Sequence, residues 1–297
     1  LYAASEVPGR ARGLIGVFAV SPSDGTLTEL GSQAMGGAWA SYLSTDPSGS
    51  VLLAADYGTG YVVLLPVRPD GTLDPVASGH RLDGGGPDAE RQDGPHMHCV
   101  VPSPDGAYVF AADLGCDRLL GFELGLARRT LTQVSLTQLA PGSGPRHLAL
   151  AADGRTAYLS GELDSTITAL RHDGAGRLSV VETYPMLPAD FRGTSHGAHI
   201  EIHPSGRFLY ASNRGHDSIA IFEIGPDGRL RLRGHRRTEG ATPRSFAVSP
   251  DGRFLLVGNQ DSDTIVTMPI DADTGRLGPT ASVTETPTPA CLVFAPA

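Results

Sequence analysis

One unit recurs along this chain roughly every 45 to 55 residues, a period that admits few folds because each copy must be a single supersecondary unit. A short strand runs into a tight turn, read as DPSG at 46–49, SPDG at 103–106, AADG at 151–154, HPSG at 203–206 and SPDG at 249–252. An apolar strand follows each turn: VLLAAD from Val51, AYVFAAD from Ala107, TAYLSG from Thr156, RFLYASN from Arg207 and RFLLVGN from Arg253. We call the first strand A and the second B. A third apolar strand, C (YVVLLPV, RLLGFEL, TITALRH, SIAIFEI, TIVTMPI), leads through turns such as RPDGTL or GPDGRL to an outer strand D. Four short strands per repeat, punctuated by Gly, Pro, Asp and Ser, read as one blade of an all-β propeller. Glycine (38) and proline (23) are abundant while 40% of the chain is hydrophobic, which fits many turns around a core rather than disorder.

The two ends are half-blades. LYAASE at the start matches strand B without its A, and PACLVFAPA at the end matches strand A without its B. Lending the last strand to the first blade would close a ring and remove an exposed edge. Counted so, six blades are visible, with inner strands expected near 38–45, 97–103, 146–151, 198–203, 243–249 and 290–295. The expectation is one propeller domain over 1–297.

Within a blade, the A-to-B and C-to-D turns share one face, while the starts of A and the ends of B lie on the other. Aligned on the turn, the A strands place Ser41, His98, Arg146, Ala198, Arg244 and Ala290 in a ring at that second face; the B-strand ends place Glu6, Tyr57, Leu114, Glu162, Arg214 and Gln260 beside it. Charged residues are unusual at inner strand ends. Opening an ester or lactone requires a base to activate water and fixed donors where the carbonyl oxygen gains charge. His98 or Glu162 can serve as the base, and Arg146 and Arg214 can hold the oxyanion or a substrate anion.

The formal net charge of −9 disfavours a nucleic-acid partner. All 23 basic residues are arginine, which excludes a lysine Schiff base. Cys99, Cys116 and Cys291 are odd in number and far apart, with no C-x-x-C, so neither a disulfide framework nor a zinc site is indicated and a cytoplasmic location is expected. No apolar run reaches the roughly 20 residues of a membrane span. Strand alternation turns Cys99 away from His98, giving it a packing role. His96, His98, His147, His196 and His199 are spread among glycine-rich loops without an evident carboxylate partner, so no metal is assigned. Gly84 to Gly86 precede no helix, so no phosphate loop is read there. No cofactor is called for.

Four segments carry a resemblance: GPHMHCV at 94–100, GSGPRHLAL at 142–150, SGELDST at 160–166 and SNRGHDSIAIF at 212–222. In this order they resemble the seven-bladed propeller lactonases, a family that includes bacterial 6-phosphogluconolactonase and fungal carboxymuconate-lactonizing enzyme. The likeness runs through RQDGPHMH and TPRSFAVSPDGRFLLVGNQDSD and so spans essentially the whole chain. It implies that His98, Arg146, Glu162 and Arg214 form the catalytic site, the same four residues that the two rings single out. His96, His147, Arg244, Tyr57 and His199 are the expected substrate-binding neighbours. The resemblance also implies a seventh blade, because LYAASE matches the second blade's B strand in the family and the preceding strands would lie before Leu1. The expected reaction is hydrolysis of a sugar-acid lactone, foremost 6-phosphoglucono-1,5-lactone, with a muconate-type cycloisomerase or a non-catalytic binding module as alternatives. The expected partner is a small lactone, with neither nucleic acid nor membrane.

Overall fold

The computed structural model describes residues 1–5 and 13–295. Glu6, placed in the second ring above, lies outside the described residues. The chain is an all-β propeller of four-stranded blades: among the described residues there are six antiparallel sheets in sequence, the first of them three-stranded, and helix is limited to three short 3-10 turns. The inner A strands are Ala40–Thr45, Met97–Pro102, Pro145–Leu150, His196–Ile202 and Pro243–Val248, each followed outward by B, C and D. By packing, the chain divides into two compact units, 1–145 with 172–179, and 146–171 with 180–297.

The strands behave as their composition requires. B strands such as Val51–Asp56 and Thr156–Gly161 are buried at every residue, because blades cover both of their faces and the apolar runs are continuous. D strands such as Leu27–Ala34 are mostly exposed. Neighbouring sheets share cores: Val51, Leu53, Leu64, Val109, Leu120 and Phe122 in the first unit, and Phe208, Ile219, Phe246, Leu255 and Val266 in the second. Cys99 is fully buried, as its packing role requires.

The A-to-B turns close as read. Gly49, Gly106, Gly154, Gly206 and Gly252 all have φ between 63° and 72°, the left-handed region where a side chain is strained. Each donates its N–H three residues back, as Gly106 does to the Ser103 carbonyl at 2.9 Å. Carboxylates add to the closure of these turns and of the C-to-D turns alike. Asp70, Asp105, Asp251 and Asp271 are held below their ordinary 3.8, chiefly by the hydroxyls of Thr72, Ser103, Ser249 and Thr274. A depressed carboxyl contributes stability that is complete above its unfolded pKa of about 4 and is lost as pH falls through the folded value. The thermal midpoint should therefore drop as pH is lowered from about 5 to about 3, and less steeply in Asp105→Asn/Asp251→Asn. Circular-dichroism melts of both proteins check this; an identical acid limb would refute it.

The last expected inner strand does not form. Residues 286–295 carry no strand, and Leu292 instead donates its N–H to the Ser245 side chain at 3.2 Å. An apolar run becomes a strand only where a ladder partner meets it, and sequence repetition supplied none here.

Candidate active site

Two local devices aim side chains at the non-turn face. The first lies at the ends of the B strands, where Asp56, Asp113, Asn213 and Asn259 are wholly buried. Asp56 accepts from the N–H of Trp39 at 2.6 Å and of Thr59 at 2.7 Å. Asp113 accepts from the His96 N–H at 2.8 Å and from Arg118 Nε at 3.0 Å. Asn213 and Asn259 donate to the Met186 and Thr238 carbonyls. In the fourth sheet the equivalent residue is Gly161, and the next blade's backbone comes close: a Cβ on Gly197 would stand 2.3 Å from the Gly161 carbonyl oxygen. These latches fix the backbone from which Tyr57, Glu162 and Arg214 project.

The second device is a bulge in strand A. The A-to-B register slips between Ala40 and Tyr42, Met97 and Cys99, Gly197 and Ile200, and Pro243 and Ser245. The skipped residues include Ser41, His98, Ala198, His199 and Arg244. A bulge re-aims the side chain it carries, which is how small inner strands present large polar groups. Serines of neighbouring strands satisfy the displaced backbone: Ser212 Oγ accepts from the His199 N–H at 3.0 Å, and Ser160 Oγ donates to the Ala198 carbonyl at 2.9 Å.

In the second unit, Arg146, Glu162 and Arg214 come together. Glu162 Oε2 accepts from Arg146 Nε at 2.8 Å and lies 2.9 Å from Arg214 Nη2, which also donates to the Gly197 carbonyl at 3.1 Å. Arg146 is 1% exposed and Glu162 2%. Burial pushes the Arg146 guanidinium down to about 9, with Arg214 and Arg244 acting in the same direction and Glu162 opposing them. It remains a cation at neutral pH. Arg244 therefore bears on the cluster from the sixth sheet, as its place in the first ring suggests. Arg146 Nη1 is 3.1 Å from His147 Nε2, and His147 Nδ1 is 2.9 Å from His199 Nδ1. Such an arrangement holds guanidiniums rigidly toward negative charge.

In the first unit, Tyr57, His96 and His98 form an aromatic group. Tyr57 stacks on His96 with centroids 4.3 Å apart and meets His98 edge-on at 5.6 Å, with Trp39 stacked 6.2 Å from Tyr57. His96 is held through both ring nitrogens, by the Tyr57 carbonyl at 2.8 Å and Asp93 at 2.9 Å. His98 is 5% exposed.

The rings thus recover positions that the fold groups within each unit, but they missed the residues behind them. Glu201 lies two residues beyond His199 on the same strand face, and its carboxylate stands 3.8 Å from His199 Nε2. Period-two alternation from His199 was the signal available for it. Trp39, Asp93 and the serines carry no comparable mark.

The lactonase, 7-bladed beta-propeller family model matches residues 1–294. The 6-phosphogluconolactonase of Bacillus subtilis is 35% identical over 296 residues, covering 99% of this chain and 83% of the relative. That of Pectobacterium carotovorum is 36% identical over 262 residues, covering 86% and 74%. Among solved structures, the periplasmic gluconolactonase PpgL of Pseudomonas aeruginosa superposes with a TM-score of 0.88 at 36% identity, covering 94% of this chain and 79% of that one. No helix among the described residues is long and apolar enough to cross a membrane. A family match across nearly the whole length, on sheets that reproduce the blade, places this chain in the seven-bladed β-propeller lactonase family.

Proposed function

We propose that the lactone opened by this enzyme is a sugar-acid lactone bearing a phosphate, 6-phosphoglucono-1,5-lactone. The observation that carries the reading is the Arg146–Glu162–Arg214 cluster: two guanidiniums held by one buried carboxylate before any ligand arrives, with the Arg244 charge near enough to bear on Arg146. In the reaction, water adds to the lactone carbonyl carbon as a base takes its proton. The carbonyl oxygen becomes an oxyanion, and collapse breaks the bond to the ring oxygen, which leaves as a hydroxyl once protonated. The product is the open acid, and water is the sole co-reactant.

On this reading Arg146 and Arg214 stabilise the oxyanion or grip the substrate anion. Glu162, shared between them, anchors both. The base is His98, an imidazole suited to exchanging protons near neutral pH. Tyr57, His96 and Arg244 bind the sugar acid, while His147 and His199, whose ring nitrogens face Arg146, each other and Glu201, act on it only through Arg146. The names of the Bacillus and Pectobacterium relatives support a phosphorylated substrate, and grouped arginines are apt chemistry for its phosphate.

A phosphate ester is too polar to cross membranes unaided, so a phosphorylated substrate also argues for a cytoplasmic enzyme. The Pseudomonas relative, a periplasmic gluconolactonase, favours a second reading: the unphosphorylated lactone. Initial rates on freshly prepared 6-phosphogluconolactone and gluconolactone, with spontaneous hydrolysis subtracted, separate the two. The expected result is a kcat/KM at least about tenfold higher on the phosphorylated lactone, equivalent to one good charge-assisted contact. Equal or reversed preference would overturn both the phosphate assignment and the cytoplasmic one.

A further inference from the structure

Behind Arg146 runs a line of side chains that terminates at Glu201. His147 Nε2 is 3.1 Å from Arg146 Nη1, His147 Nδ1 is 2.9 Å from His199 Nδ1, and His199 Nε2 is 3.8 Å from Glu201 Oε2. Glu201 Oε2 is itself anchored by the Val248 N–H at 3.1 Å. The line crosses three consecutive inner strands of the second unit, Pro145–Leu150, His196–Ile202 and Pro243–Val248. His199 sits at the bulge between Gly197 and Ile200, and its ring packs edge-on against Phe246 at 4.8 Å.

With both imidazoles neutral, one arrangement of protons satisfies every link. A guanidinium only donates, so His147 Nε2 must offer its lone pair. The His147 proton then sits on Nδ1 and is donated to His199 Nδ1, which must also be bare. The His199 proton is left on Nε2, facing the Glu201 carboxylate. The carboxylate favours that tautomer, and through it the tautomer that receives Arg146. A planar guanidinium held at Nε by a single oxygen can still rock about its bond to Cδ within the angular latitude of that hydrogen bond. A second hold at Nη1 fixes its plane, and with it the direction of its remaining N–H groups.

We propose that His147, His199 and Glu201 form a positioning relay that locks the plane of Arg146, with the charge of Glu201 reinforcing the histidine tautomers that Arg146 requires. The inference rests on Arg146 acting on the substrate as proposed above. Its test therefore has one readout that does not involve activity. In protein labelled with 15N-histidine, the nitrogen shifts at neutral pH should show His147 protonated at Nδ1 and His199 at Nε2, and in Glu201→Gln this single pattern should give way to a mixture. Glu201→Gln should lower kcat about tenfold while KM moves less than about threefold, the loss expected when an orienting partner is removed and the group itself remains.

His199→Phe keeps the packing on Phe246 but removes both nitrogens, and should lose about tenfold or more in kcat. His199→Asn, whose carbonyl oxygen can take the place of Nδ1, should lose only about threefold. A wild-type His147 protonated at Nε2, or equal losses in the Phe and Asn variants, would overturn the relay. So would a Glu201→Gln enzyme with normal turnover. If removing Arg146 itself leaves turnover intact, the reaction reading fails while the nitrogen shifts still judge the relay.

Discussion

Arg146→Met lowers turnover on the lactone by about a hundred- to a thousandfold, the loss expected when a preorganised donor is removed from a developing oxyanion. Methionine is the informative replacement because it is unbranched and fills much of the same buried channel without charge. The same change leaves Glu162 buried with one of its two guanidiniums, and breaking a buried pair in this way costs about 3–5 kcal/mol. Melting temperatures must therefore be measured beside the rates, and turnover taken well below the transition. Arg146→Lys gives the complementary case. It restores the charge, but a lysine cannot hold Glu162 through Nε and His147 through Nη1 at once. Lysine should recover stability more fully than turnover. A folded Arg146→Met enzyme within about threefold of wild type would remove Arg146 from the reaction.

The second large effect is at Glu162. Glu162→Gln keeps the shape and removes the charge from a point 2.8 Å from one guanidinium and 2.9 Å from another. The amide can still accept through its oxygen, but its nitrogen end can only donate, and two cations that shared a carboxylate then repel in a site shielded from water. Turnover should fall about a hundredfold, with a smaller loss in melting temperature than Arg146→Met shows. Pairing the change with His98→Asn separates roles. If the base and the arginine anchor act in one chemical step, the double variant should be little worse than the poorer single variant. Near-normal turnover in Glu162→Gln would make the carboxylate a structural group only. A raised KM at constant kcat would assign the arginines to binding the substrate anion rather than to the transition state.

The blade was legible because its causes are local. A left-handed glycine after Asp or Ser closes each A-to-B turn locally, and a run such as VLLAAD, too short for a helix and bounded by turn residues, reads as a strand buried on both faces. Aligning the repeats then exposed His98, Arg146, Glu162 and Arg214, since a repeat that keeps its apolar positions makes each polar exception stand out. The strand expected at 290–295 shows the limit of the method. Its composition matched strand A, but pairing depends on a partner ladder that composition does not encode.

What the sequence determined by itself was the repeat, its strands and turns, and which blades carry charge at the inner strand ends, all set by interactions within a few residues. The tertiary structure alone decided how those charges are used. The bulges that take His98, His199 and Arg244 out of register depend on pairing with strand B, and the union of Arg146 with Glu162 and Arg214 depends on three strands from two sheets meeting. Glu201 was invisible as a partner of His147 because the two lie in different sheets, 54 positions apart by their numbers, joined only through His199. Hydrogen bonds fall off within a fraction of an ångström, so which polar groups become partners is settled by packing that brings distant strands to contact, and no spacing along the chain records it.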